Sequence, residues 1–229
     1  MEAFLRACLP RVLDEAVEFN VYPHQCKEDL LARLPQRLKG YARWLPDTWK
    51  IVVVVDRDDD DCHDLKRRMD EIAVQAGLEI PARSKTAWHV CNRIAIEELE
   101  AWYFGDWDAV RSAFPRVSKT TPSGRRFRNP DKITEGTWEA FECVLKKAGY
   151  CQTGLRKIET ARAIGKHVDP ARSQSPSFRA FWRVIEQLSR RQPPAKPRQC
   201  PGPQNTNPDN HAGYRGLFES GKRVSNPRT

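Results

Sequence analysis

Helical and extended hydrophobic spacings alternate along the first part of the chain. Residues 2–13 have helical spacing and 17–21 alternate as a short strand. A second helical pattern covers 27–45, in which we expect Pro35 to kink the helix or to begin a new one. The run at 51–55 is continuously β-branched, which predicts a central strand covered on both faces.

Three further elements continue this alternation. Residues 61–76 predict an amphipathic helix that ends at Gly77, and a strand is expected at 89–96, followed by a helix from Glu97. Residues 1–115 therefore predict an α/β core with a mainly parallel sheet flanked by helices.

The pattern changes beyond this core, because no clear strands follow. A basic loop spans 117–133, and helical spacing recurs near 136–148, 155–166 and 177–189. We therefore expect 116–189 to form a helical C-terminal part.

Charge and composition set the last segment apart. The chain carries a net charge of +9 and has a pI near 9.3, which favours a polyanionic partner such as nucleic acid. Much of this excess lies in 190–229, a proline-rich segment with little apolar periodicity, which predicts a disordered basic tail.

No apolar run approaches the roughly 18 residues of a membrane span, and the first residues lack a secretory pattern, so we expect a soluble cytoplasmic protein.

Acidic residues follow the predicted central strand directly. Six aspartates lie within residues 56–64, at the carboxyl end of the strand, where open α/β sheets bind ligands. Asp56 and Asp58 are two positions apart in an extended segment and can share one cation. Carboxylates without supporting Cys or His favour Mg²⁺ or Mn²⁺, or Ca²⁺, over zinc. For the later aspartates we favour the alternative, an acidic first turn of the next helix.

A second acidic group lies where the 89–96 strand leads into a helix. If both strands belong to one parallel sheet, their carboxyl ends share an edge, and Glu98 or Glu100 can complete the cation shell. The alternative is that these glutamates only stabilise the start of their helix.

These motifs resemble a known arrangement. The strand IVVVVD with its DxD pair, and a later strand that leads into an E-x-E helix start, is similar to the TOPRIM domain of topoisomerases, primases and overcoming-lysogenization-defect (OLD) nucleases. More closely, 1–189 resembles a bacterial TOPRIM-like family of unknown function, DUF4276. The resemblance implies a TOPRIM-like, Rossmann-like fold. The matching segments are HQCKEDLLARLPQRLKGYA, IVVVVDRDDDDCHDLK, IAIEELEAWYFGDWDAV, GLRKIETARAIGKH and SPSFRAF.

The resemblance also implies the roles of individual residues. Asp56 and Asp58 match the DxD pair, and Glu98 and Glu100 match the E-x-E of the OLD-type branch, as metal ligands. In that branch a lysine from the helical part enters the site, and Lys157 is our candidate. Lys166 is the reserve, and for either lysine the alternative is an ordinary solvated position on an amphipathic helix.

One part of the TOPRIM pattern is missing. In that family a first strand ends in an E-x-x-x-E-like stretch whose glutamate is a metal ligand or general base. Glu2 matches the second acid of that stretch. We therefore expect either that translation begins upstream of Met1 or that this copy is shortened and inactive.

The function implied is hydrolysis of phosphodiester bonds in nucleic acid, with DNA as the expected partner and Mg²⁺ or Mn²⁺ as cofactor. The family setting implies a phage-defence or DNA-maintenance module with an ATPase of the ABC or OLD type. The chain has no G-x-x-x-x-G-K-[ST] loop of its own.

Two alternatives stay open: a non-catalytic binding subunit, and a metal-dependent transferase or phosphatase with a DxD motif. Asp60, where a haloacid-dehalogenase-type phosphatase has Thr or Val, argues against that phosphatase.

Overall fold

The computed structural model describes residues 1–133, 136–190 and 214–221, which form a mixed α/β fold with a parallel sheet flanked by helices. The helices are α1 (Glu2–Cys8), α2 (Lys27–Ala42), α3 (Cys62–Gln75), α4 (Leu99–Gly105), α5 (Trp107–Ala113), α6 (Thr137–Lys147), α7 (Lys157–Gly165) and α8 (Pro176–Arg190). The strands are β1 (Val17–Pro23), β2 (Lys50–Asp56), β3 (Val90–Ala95) and β4 (Tyr214–Gly221).

The order of the strands in the sheet is β1-β4-β2-β3. β4 pairs with β1 on one side and with β2 on the other, so it fills a central position although it is the last of the described strands along the chain. Its eight residues belong to the segment for which we expected disorder. That expectation was based on the composition of the whole segment, so the short run YRGLFESG was not considered separately from the proline-rich residues around it. The remainder of the expected tail, 191–213 and 222–229, lies outside the described residues.

β2 is buried along its whole length, as its β-branched run predicts. Val52 and Val54 pack into one layer of the core, with α1 and α4 to α8, whereas Val53 and Val55 pack into the opposite layer, with α2 and α3. This strand therefore separates two helical layers, and the polar residue at its end, Asp56, is held in a fixed place.

The two parts predicted from the sequence share the larger core layer. The ring of Trp102 on α4 lies 5.1 Å from that of Phe178 and 5.2 Å from that of Phe181, both on α8. Helix α5 was not predicted, and α2 continues through Pro35 as one helix. Within the described residues, no helix is both long and apolar enough to span a membrane.

Candidate functional site

The carboxyl ends of β2 and β3 lie side by side, as the sequence predicts. Asp56, the last residue of β2, pairs with Ala95, the last residue of β3. The chain then turns into α4, which carries Glu98 at its N-cap position and Glu100 in its first turn. We call Asp56, Glu98 and Glu100 the acidic site.

Asp56 is buried, and one of its carboxylate oxygens, Oδ1, has no hydrogen-bond partner among the described residues. Burial raises its pKa from 3.8 to about 7, against the opposing charge of the Met1 α-amino group. The negative charges of Glu100, Asp58 and Glu98 raise the pKa further. These acids are therefore close enough to repel one another, which is the condition that a bound cation relieves.

Glu100 is also buried, with 3% of its surface exposed. One helical turn later, the hydroxyl of Tyr103 is buried and has no hydrogen-bond partner among the described residues. Burial raises the pKa of Tyr103 well above its usual value, and the charges of Glu100 and Asp56 add to that effect. Asp56 Oδ1 and Tyr103 Oη, which both lack a hydrogen-bond partner among the described residues, therefore belong to side chains on which the charge of Glu100 acts. A buried polar group without a partner costs about 1–3 kcal/mol.

Glu98 has a structural role as well as a place in the acidic site. Its Oε2 accepts hydrogen bonds from Thr137 Oγ1, at 2.8 Å, and from the backbone N–H of Trp138, at 3.0 Å, so it caps the start of α6. Burial and the charge of Glu100 raise its pKa, whereas these hydrogen bonds and the charge of Lys157 lower it. Glu98 thus joins the helical part to the end of the sheet.

Asp58, which we predicted as a metal ligand, forms an ion pair with a lysine of the chain. Lys27 Nζ lies 2.9 Å from Asp58 Oδ2 and 2.7 Å from Asp60 Oδ2. Lys27 was not identified from the sequence, because it lies on a different helix, far along the chain from the acidic run. Tyr103 was also missed, although its spacing of three residues from Glu100 on one helix is a signal that could have identified it.

Lys157, the predicted site lysine, is close enough to Glu98 for its charge to act on that carboxylate. Its Nζ is 4.3 Å from the centroid of the Trp138 ring. Lys157 lines a pocket of about 310 Å³ with Glu2, Arg6 and Arg162, among others. Glu2 forms a partly exposed ion pair with Arg6, at 2.8 Å, on the same helix.

The other predicted basic positions lie elsewhere on the surface. Lys166, the reserve lysine, is exposed at the C-cap of α7. Arg125, Arg126 and Arg128 in the basic loop are exposed, whereas the ring of Phe127 between them stacks on the core residue Phe104, at 4.7 Å.

The residues of the acidic site are compatible with a divalent cation, although they form no closed shell. Among the described residues, no group of three or more His, Cys, Asp or Glu side chains is arranged to hold a metal ion. Mg²⁺, however, is commonly bound by one or two carboxylates, with water and substrate phosphates as its other ligands. Two buried carboxylates, Asp56 and Glu100, with an oxygen that lacks a partner, fit that kind of site.

Residues 1–186 match the model of a family described as a domain of unknown function, DUF4276, and the chain belongs to this family. The match covers the acidic site, Lys27 and Lys157 and ends before β4. The comparisons with curated proteins and with solved structures find no match.

Proposed function

We propose that this protein is a TOPRIM-type phosphodiesterase that cleaves nucleic acid with a Mg²⁺ or Mn²⁺ ion bound at Asp56 and Glu100. The observation that carries the proposal is Asp56, a buried carboxylate at the end of the central strand. Within the described ranges one of its oxygens has no hydrogen-bond partner, and neighbouring acids oppose its ionisation. A cation at this position offsets that repulsion and explains why acids are buried together.

The proposal assigns a separate role to each residue of the site. The ion would supply an activated water and stabilise the leaving oxygen. Asp56 and Glu100 hold the ion, and Glu98, fixed by its hydrogen bonds to α6, contributes negative charge beside it. Lys157 offsets the charge that develops on the phosphate during cleavage. In hydrolysis the oxygen of water forms a bond to phosphorus, the bond between phosphorus and one ester oxygen breaks, and a proton from water ends on the leaving oxygen.

Substrate binding is assigned to the basic surface beside the acidic site. Lys157, Arg6 and Arg162 line one pocket and can contact phosphates of the backbone. The exposed arginines of the 117–133 loop add positive charge at another part of the surface. Binding of this kind follows charge and not sequence, so we expect it to weaken steeply with salt.

The setting is part of the same proposal. Because the sequence holds no phosphate-binding loop of the P-loop type, any ATP-dependent step requires a separate ATPase of the ABC or OLD type. Such a pairing would place the chain in phage defence or DNA maintenance.

The test is cleavage of plasmid DNA and of single-stranded oligonucleotides with Mg²⁺ or Mn²⁺, compared with EDTA. We expect metal-dependent cleavage by the unmodified chain and loss of at least 100-fold, an order-of-magnitude figure, in Asp56→Asn and in Glu100→Gln. The matched control is Asp64→Asn, which removes an exposed carboxylate from the same acidic run.

Equal activity in Asp56→Asn and the unmodified chain would overturn the proposal. DNA binding without cleavage under any metal condition would instead support the non-catalytic subunit. Release of inorganic phosphate or turnover of a nucleotide sugar would support the phosphatase or the transferase.

A further inference from the structure

Lys27 occupies an unusual position for a lysine. It is the first residue of α2, and only 7% of its side chain is exposed. Lysine is seldom buried unless it is paired, and the N-terminus of a helix disfavours positive charge. Specific hydrogen-bond acceptors must therefore offset the free energy lost by burying the charge and by placing it at a helix N-terminus.

Those acceptors all belong to the loop that follows β2. Lys27 Nζ contacts carboxylate oxygens of Asp58 and Asp60, and it donates a hydrogen bond to the backbone carbonyl of Arg57, at 2.9 Å. These three oxygens offset the cost of burying a lysine ammonium. Lys27 thus remains a cation bound by three oxygens of the acidic loop.

This ammonium lies beside the acidic site. Asp58 is two residues from Asp56, and its charge acts on Asp56. In two-metal sites the ions lie only about 3.5–4 Å apart and share carboxylates of such a cluster. Here the second aspartate of the DxD pair already has a cation partner that belongs to the chain.

We propose that the Lys27 ammonium takes the place of a second divalent ion, so that the site binds one ion, at Asp56 and Glu100, and not two. This inference rests on the proposed function and adds to it the number of ions. Lys27 acts through Asp58 and Asp60 and is therefore a positioning residue. It neutralises these acids, whereas Oδ1 of Asp56, the first member of the DxD pair, has no hydrogen-bond partner among the described residues.

The test counts bound ions by calorimetric titration of the full chain with Mn²⁺. We expect one ion in the unmodified chain. In Lys27→Met the carboxylates of Asp58 and Asp60 lose their cation, and we expect a second Mn²⁺ to bind there. Lys66→Met is the matched control, because Lys66 pairs with Asp70 on α3, and it should keep one ion.

A double variant separates charge from a general loss of structure. Lys27→Met with Asp58→Asn removes one charge of each sign, and the count should return to one ion. Mn²⁺ should also raise the Tm of Lys27→Met by more than it raises that of the unmodified chain. This second readout still applies if Lys27→Met is too unstable to titrate, because an ion that replaces the ammonium restores folding.

The possible failures are distinct. Two ions in the unmodified chain, or no additional ion and no additional Tm rise in Lys27→Met, would overturn the role of Lys27 and leave the proposed function in place. No Mn²⁺ uptake by the unmodified chain would overturn the proposed function itself, and the inference with it.

Discussion

The backbone N–H of Asp58 donates a hydrogen bond of 3.1 Å to the carbonyl of Glu97, and both residues have positive φ angles, 50° and 64°. Arg57 and Glu97 also form an ion pair across the same two turns. The ends of β2 and β3 are thus tied together in a conformation that side chains seldom adopt. Strain of this kind persists where the surrounding structure enforces it and is frequent at functional sites.

Because Glu97 has a positive φ, a glycine variant at this position should be more stable than an alanine variant, which is the reverse of the order inside a helix. Glu97→Gly should be more stable than Glu97→Ala by about 1 kcal/mol, because only glycine adopts this conformation without strain. Urea unfolding measures the difference. At the exposed position Glu71, inside α3, the same pair should show the opposite order, alanine being favoured by about 1 kcal/mol. Alanine favoured at both positions would contradict the strain at Glu97.

The raised pKa of Asp56 predicts a pH dependence of stability in the absence of metal. Its folded-state pKa of about 7 exceeds the ordinary 3.8, so the folded state binds the proton more tightly. Stability should therefore fall as pH rises from about 4 to about 7, by an amount on the order of a few kcal/mol. Asp56→Asn should lack this loss and should be more stable than the unmodified chain at pH 8 in EDTA.

The measurement is thermal or urea unfolding at several pH values. Asp64→Asn, at an exposed position, should follow the unmodified chain. If the difference in stability between Asp56→Asn and the unmodified chain were the same at pH 5 and pH 8, the burial of an ionisable Asp56 would be disproved.

Tyr103→Phe should stabilise the metal-free chain by about 1 kcal/mol, because it removes a buried hydroxyl for which the described part of the chain supplies no hydrogen-bond partner. In the presence of Mn²⁺ this gain should shrink, because a ligand or water at the acidic site gives the hydroxyl a partner. Tyr150→Phe is the control, since the Tyr150 hydroxyl accepts a hydrogen bond from the backbone of Arg116, at 3.2 Å. That variant should lose stability. A loss of similar size in Tyr103→Phe would mean that its hydroxyl is already satisfied.

The position of the acids could be predicted from the sequence because it depends on local pattern. A continuous β-branched run has to be buried, and an aspartate at its end has to lie at the sheet edge, so Asp56 was identified correctly as the end of a central strand. The ammonium of Lys27 could not be predicted, because the contact depends on how α2 packs against the loop after β2. The place of β4 depends on pairing between the two ends of the chain, which no local pattern encodes.

Lys157 gives a prediction for nucleic-acid binding that does not require cleavage. If Lys157 contacts a phosphate, Lys157→Met should weaken binding of DNA of any sequence and lower the slope of log affinity against log salt by about 1. Fluorescence anisotropy in EDTA measures both quantities. Lys147→Met removes an exposed lysine from the end of α6 and should leave the slope unchanged. Equal slopes for both variants would show that Lys157 does not contact a phosphate of the DNA.

β4 lies between β1 and β2, so its backbone forms hydrogen bonds along both of its edges. Leu217 pairs with Asn20 of β1 and with Ile51 of β2. Proline has no N–H to donate, so Leu217→Pro should lower the free energy of unfolding by about 3 kcal/mol, whereas Leu217→Thr keeps the N–H and should cost less. Urea unfolding compares the two. If β4 is integral to the sheet, the proline variant should also lose metal-dependent cleavage, since β4 supports the strand that ends at Asp56. Equal stability of the two variants would mean that the sheet forms without β4.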